Sequence, residues 1–248
     1  MLSGKNRTNP CVAYAALLRT LCIINEDKTN KSIIKPLLQG RNIRKWTYQK
    51  SNEYLLQTGY DENIKKQYRI IYGHLKQFEN ELKIRSDQGV NWWNLRACKY
   101  YPEFEQEKII WGLTADKWAF AYDDEKHYLP SNGYILTSNE IPIKYLLALL
   151  NSRLLEFYFG FIGIMTAGGA FTLKYETIVE IPIKVISNAE QKPFISLVDK
   201  ILSLTSFDDY LQNATKQVKV GEYEAEIDRM VYKLYDLSSE EIAIVEGK

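Results

Sequence analysis

Residues 35–48 read KPLLQGRNIRKWTY, and the architecture of the front of the chain follows from how this stretch is punctuated. Pro36 interrupts the apolar run at 33–38, Gly40 supplies a turn, and residues 43–48 read as a strand. Four cations, Lys35, Arg41, Arg44 and Lys45, lie beside two aromatics, Trp46 and Tyr48. Lysine and arginine hold phosphates, arginine also addresses guanine edges bidentately, and neighbouring aromatics pack on sugars or exposed bases. The competing expectation is that Leu37, Leu38, Ile43 and Trp46 are core and the cations merely solvated.

On the C-terminal side, residues 61–89 carry Ile64, Tyr68, Ile71, Leu75, Phe78 and Leu82 at helical spacing, which predicts one amphipathic helix. Its polar face holds Lys65, Lys66, Arg69, Lys76 and Lys83. Short β-like runs follow at 108–111, 118–122 and 133–136. Residues 143–160 predict a strong helix, 165–170 a small-residue loop containing Gly168 and Gly169, and 177–185 a closing strand ending near Pro182. Beyond Ser187 the pattern is helical, with a segment at 193–204 opened by Pro193 and a second at 223–235. Ser238 with Glu241 forms a capping-box signature for a last helix. Residues 12–21 suit a short helix or strand and 23–27 a strand end. The expected organisation is an α+β unit over 1–187, a mixed and mostly antiparallel sheet packed with helices, followed by a helical segment over 188–248.

Charge is distributed unevenly beneath a net charge of +1. Residues 28–50 hold seven basic and no acidic side chains, whereas 221–248 hold eight acidic against three basic. A basic front with an acidic tail suits a polyanion-binding face, and ordinary solvated faces would also produce it. Cys11, Cys22 and Cys98 are irregularly spaced, and His74 lies far from His127, so neither a disulfide framework nor a zinc cluster is expected. The residues at the start lack the basic, apolar, small-residue order of a signal peptide. The apolar stretch at 141–165 is interrupted by Lys144, Asn151, Arg153 and Glu156, which argues against a membrane span. A cytoplasmic protein is expected.

Catalytic patterns are sparse. An amino-methyltransferase needs an aromatic-flanked Asn/Asp-Pro-Pro loop, and Asn9, Pro10, Cys11 and Val12 lack both the second proline and the aromatic. Gly168 and Gly169 lack the third glycine and the preceding strand of a nucleotide-binding turn. Asp116, Asp124 and Lys126 are the best arrangement for a metal-dependent nuclease, a pattern short enough to arise by chance. Another class of function is a protein-interaction module, in which the acidic helical tail and amphipathic helices dock a partner subunit without touching DNA.

Taken in order, however, the motifs resemble the TaqI-like C-terminal specificity domain. Residues 34–44, IKPLLQGRNIR, resemble its Lys-Pro-Phe-Leu-Arg-Gly-Arg-Asp-Ile element, with Gln39 where a cation is usual. Residues 78–85 resemble its helix ending in Leu-x-x-Arg, and 92–96, WWNLR, its Trp-Tyr-x-Leu-Arg box. Residues 108–111 resemble its Lys-Ile-Ile strand and 145–152, YLLALLNS, its Leu-Leu-Asn-Ser helix. Lys174, Tyr175 and the IPI at 181–183 resemble its closing strand. Coverage runs over about 30–185, and the ordered set is more specific than any single motif. The resemblance implies a target-recognition domain working with an adenine-specific DNA methyltransferase or restriction-modification enzyme. It implies no catalytic residue and no cofactor in this chain, S-adenosylmethionine and Mg²⁺ belonging to catalytic domains elsewhere. The expected partners are double-stranded DNA and a methyltransferase domain or subunit. Lys35, Arg41, Arg44, Lys45, Trp46, Tyr48, Lys65, Arg69, Gly168 and Gly169 are the expected DNA contacts. They would clamp the duplex while a partner domain accepts the extruded adenine.

Overall fold

A computed structural model describes residues 28–248, apart from 60–62, 87, 97, 116 and 167. The expectations for 12–27, Cys11, Cys22 and Asp116 lie outside the described residues. The strands are β1 (Ile34–Pro36), β2 (Ile43–Arg44), β3 (Thr47–Tyr48), β4 (Tyr54–Leu56), β5 (Lys108–Gly112), β6 (Thr114–Ala115), β7 (Ala121–Asp123), β8 (Gly133–Leu136), β9 (Ile164–Met165) and β10 (Phe171–Thr172). The helices are α1 (Ile64–Gln67), α2 (Arg69–Lys76), α3 (Glu79–Lys83), α4 (Tyr101–Phe104), α5 (Ile143–Leu150), α6 (Arg153–Ile162), α7 (Tyr175–Ile178), α8 (Asn188–Thr205), α9 (Ala214–Leu234) and α10 (Ser239–Val245). The fold is α+β with small antiparallel sheets and a helical C-terminal segment, as the sequence predicts.

At the centre is the antiparallel sheet β7-β5-β8. All of β5 is buried, because both faces of the sheet are covered. Ile109 and Trp111 enter a large core shared with α5, α6, α8 and α9, whereas Ile110 enters a second cluster with Leu37, Leu38, Leu55 and Tyr128. A parallel bridge between Leu37 and Tyr128 joins the β1-β4 ladder to this centre. A third cluster packs Ile64, Ile71, Leu75 and Leu82 on Ile33, Ile34 and Leu56.

Several predicted elements are subdivided, each for a local reason. The helix expected at 61–89 becomes α1, α2 and α3, because Tyr68 and Phe78 leave helical dihedrals at φ −126° and −110°. The apolar stripe nevertheless buries Ile64, Ile71, Leu75 and Leu82 as its spacing requires. The helix expected at 143–160 is two helices bent by 66°. Asn151 causes the break: its side chain accepts from Phe120 N at 3.1 Å and donates to Phe120 O at 3.0 Å. Ser152 then caps α6 by accepting from Leu155 N. Because Asn151 occupies the backbone of Phe120, the strand expected at 118–122 is paired only from Ala121.

The strand expected at 43–48 is a hairpin, β2 and β3 joined through Lys45 and Trp46. The closing strand expected at 177–185 is instead α7 followed by irregular chain, with Ile178 and Ile181 buried at helical spacing. The helix expected from Pro193 begins at Asn188, because Ser187 and Glu190 form a capping box upstream and Pro193 lies inside it. The polar stretch before 223 joins α9, capped by Asn213. The Ser238–Glu241 capping box is present. Phe194, Leu197, Val198, Ile201, Val220, Ile227 and Val231 from the C-terminal segment share one core with α5 and α6.

Among the described residues no single helix is long and apolar enough to cross a membrane. The bent pair α5–α6 has the composition, but α5 is almost wholly buried in the core.

Candidate nucleic-acid interface

Residues 35–48 divide into side chains that hold the fold and side chains that face outward. Lys35 Nζ pairs with Glu105 at 2.7 Å, and Tyr128 Oη donates to the same carboxylate oxygen at 2.8 Å. Lys45 Nζ pairs with Glu224 of α9 at 2.8 Å. Tyr48 Oη donates to Asp123 at 3.1 Å. Trp46 is 2% exposed and donates its indole N–H to Glu224 at 2.6 Å. Its expected place on a DNA surface is therefore corrected: the ring is core, as the competing reading of this stretch had it. Gln39, at the position where a cation is usual, donates to Glu53 at 2.6 Å.

Arg41 and Arg44 remain. Both are exposed, and neither forms an ion pair with any described residue. Arg44 Nη1 donates to the carbonyls of Arg41 at 2.6 Å and Ile43 at 2.8 Å, which holds the two arginines in one unit. The 3-10 turn Gly40–Asn42 that carries Arg41 is pressed on the end of β5. A Cβ on Gly40 would lie 3.1 Å from Gly112 Cα, and one on Gly112 would lie 3.1 Å from Gly40 O. A side chain at either position would force this backbone-to-backbone approach to open by a few tenths of an ångström.

The same turn packs against β6, the first strand of the sheet β6-β10-β9. Gly168 and Gly169 lie in the exposed loop joining β9 to β10, Gly169 at φ +80°. An antiparallel hairpin loop is no strand-to-helix cradle for a nucleotide. The turn carrying Arg41 thus lies against β6, and the glycine loop joins the other two strands of the same small sheet. Lys65 and Arg69 are exposed on α1 and α2, part of the separate third cluster. Beside the hairpin, Phe161 at the end of α6 is 74% exposed, with Ile164 and Met165 of β9 also exposed.

The family-like motifs largely serve as internal ties. Lys108 Nζ pairs with Asp123 at 2.6 Å, both side chains fully buried, and donates to Phe104 O at 2.7 Å. His127 Nδ1 bonds the other Asp123 oxygen at 2.7 Å, and the His127 backbone N–H donates to Asp123 at 3.0 Å. Burial pushes the Asp123 carboxyl up, but His127 and Lys108 outweigh it and hold the carboxyl below its ordinary value. Arg85 donates to the carbonyls of Trp92 at 3.0 Å and Asn94 at 2.9 Å, joining the Leu-x-x-Arg helix to the WWNLR box.

Sequence reasoning missed Glu224 and Asp123. For Asp123 a signal existed, since a lysine opening an otherwise apolar strand requires a buried counter-charge. Of the expected nuclease residues, Asp124 is exposed and Lys126 lies 3.7 Å from Glu105. Among the described residues no group of three His, Cys, Asp or Glu side chains could hold a metal ion.

This frame of internal ties around an arginine turn fits a known class. The chain belongs to the TaqI-like C-terminal specificity domain family, whose model matches residues 35–183. Among solved structures it is similar to the Type IIL restriction-modification enzyme MmeI in complex with DNA, with a TM-score of 0.64 at 11% identity. That match covers 92% of this chain and 32% of the enzyme, so the chain spans about a third of that enzyme's length. Residues up to 183 alone cannot supply a share of 92%, so the likeness of fold extends into the C-terminal helices. A comparison with curated protein sequences finds no match.

Proposed function

We propose that the chain recognises a target sequence in double-stranded DNA on behalf of an adenine-specific methyltransferase or restriction-modification enzyme. One observation carries the reading. Of the four cations in residues 35–48, Lys35 and Lys45 are neutralised by Glu105 and Glu224, while Arg41 and Arg44 project without a counter-ion among the described residues. Guanidinium groups in this state suit phosphates and guanine edges. Family membership and the MmeI likeness support the same reading.

Methyl transfer is assigned to a catalytic domain or subunit other than this one, which would bind S-adenosylmethionine and, where cleavage accompanies methylation, Mg²⁺. The present domain would clamp the duplex while that partner receives the extruded adenine. A cytoplasmic location goes with this role. A second reading, a module that docks an enzyme subunit, draws on exposed Phe161, Ile164 and Met165.

Fluorescence anisotropy with duplex DNA over a range of salt concentrations tests the first reading. Log affinity is expected to fall linearly with log salt, and Arg41→Ala/Arg44→Ala to reduce the slope by about 2, near 0.9 for each lost phosphate contact. Identical slopes for parent and variant would remove Arg41 and Arg44 from the interface. Salt-insensitive association with a methyltransferase chain, without DNA binding, would favour the second reading.

A further inference from the structure

We propose that the C-terminal helices position the arginine turn, with Glu224 of α9 as the positioning residue that locks the β2–β3 hairpin. The DNA consequence of this lock rests on the proposed recognition function; the lock itself rests on geometry alone.

Three successive residues of the hairpin are tied to distant parts of the chain. Lys45 Nζ and Trp46 Nε1 converge on the same oxygen of Glu224, at 2.8 and 2.6 Å. Thr47 Oγ1 donates to Thr205 O at the end of α8, at 3.1 Å. The Trp46 backbone N–H donates to Phe120 O at 2.9 Å. Trp46 sits at φ +69°, the left-handed region that a turn ordinarily fills with glycine or asparagine. A tryptophan stays there only where its surroundings over-determine it. Burial of the ring and its bond to Glu224 are those surroundings.

Arg44 immediately precedes this turn and its guanidinium bonds back to the Arg41 and Ile43 carbonyls, so its direction follows from the hairpin's shape. Glu224 and Thr205 lie beyond residue 183, where the family match ends. The helices therefore contribute to recognition by fixing where Arg44 points, while staying away from the nucleic acid.

The test uses the full chain with Glu224→Ala and the isosteric Glu224→Gln. Hydrogen exchange is measured at the Trp46 indole and at the amides of 43–48, beside duplex binding over a range of salt. Glu224→Ala should accelerate exchange at these sites by about tenfold or more, while α2 and β5 keep their protection. It should weaken DNA binding about tenfold at 0.1 M salt, with a slope shallower by about 1, as expected for one displaced phosphate contact. Glu224→Gln keeps an acceptor for the indole but loses the charge facing Lys45, so intermediate effects are expected. It carries the test if the alanine variant does not fold.

Unchanged exchange in the hairpin overturns the lock whatever DNA binding does. Faster exchange with unchanged binding would make Glu224 a structural residue and overturn its positioning role. If the parent binds no DNA at any salt, the recognition function fails and the positioning role fails with it, while exchange still decides whether the lock exists.

Discussion

Lys108 and Asp123 bring opposite charges together with no exposed surface, among the packed side chains beneath the central sheet. Removing Lys108 takes away the buried carboxylate's lysine partner and leaves Asp123 with only the bonds from His127 and Tyr48. Lys108→Met is therefore expected to cost about 3–5 kcal/mol, read as a lowered urea midpoint at unchanged m. The acid limb of stability belongs to the same site. The Asp123 carboxyl is held below its ordinary value in the fold, so it contributes stability above that value and loses it as pH falls below about 4. A series of urea melts from pH 7 to pH 3 should fall more gently for Asp123→Asn than for the parent; parallel curves would place the acid sensitivity elsewhere. At this scale the sequence showed that residues 35–48 matter but not which cations stay available. The partners that neutralise Lys35 and hold Trp46 stand 70 and 178 residues away, beyond the reach of any local pattern.

Elements were legible in type and approximate position, and less so in their interruptions. Spacing located four buried residues of 61–89, Ile64, Ile71, Leu75 and Leu82, whereas Phe78 is exposed, and beyond the break at Asn151 the buried side of α6 is carried by Leu155 and Phe159. It could not show that Asn151 would leave the helix to bond Phe120, since that choice depends on a strand lying alongside. The break sets up a further contact. Asp228 of α9 accepts from the Arg153 backbone N–H at 2.9 Å, at the first residue of α6. Glu156, one turn along α6, has its carboxyl raised by burial, with Asp228 and Glu224 adding to the rise against Lys45 and Arg153. A raised carboxyl destabilises the fold above its ordinary value and is relieved as pH falls through the folded value. Glu156→Gln should accordingly raise Tm at pH 7, with the gain shrinking toward pH 4. A lower Tm at pH 7 would show that the charge of Glu156 serves α6 in some other way.

For the whole molecule, the change of character near 187 was visible in composition, but composition does not report what packs on what. Phe194 stacks edge-on against Tyr145 with ring centroids 5.4 Å apart, and Ile201, Val220 and Val231 complete a core begun by Trp111 and Trp118. A chain ending at 187 would leave α5 bare on that side. Such a truncation is expected to bind a hydrophobic dye and to lack the cooperative melt of the parent. A sharp, dye-free transition for the shortened chain would instead show that the front folds alone. The candidate interface was legible only as a region: the arginine turn and the glycine loop lie far apart in sequence, and only the fold shows that the turn meets β6 while the loop joins β9 to β10 in the same sheet.

The contact between Gly40 and Gly112 has a bearing on inheritance. A side chain at either position would push the arginine turn and the end of β5 apart by a few tenths of an ångström, so changes at the two positions are coupled. Chimaeras that borrow the turn from one relative and the strand from another should succeed when both glycines are carried over together. New specificities would then arise more readily by altering the residues flanking this pair than by moving the pair apart.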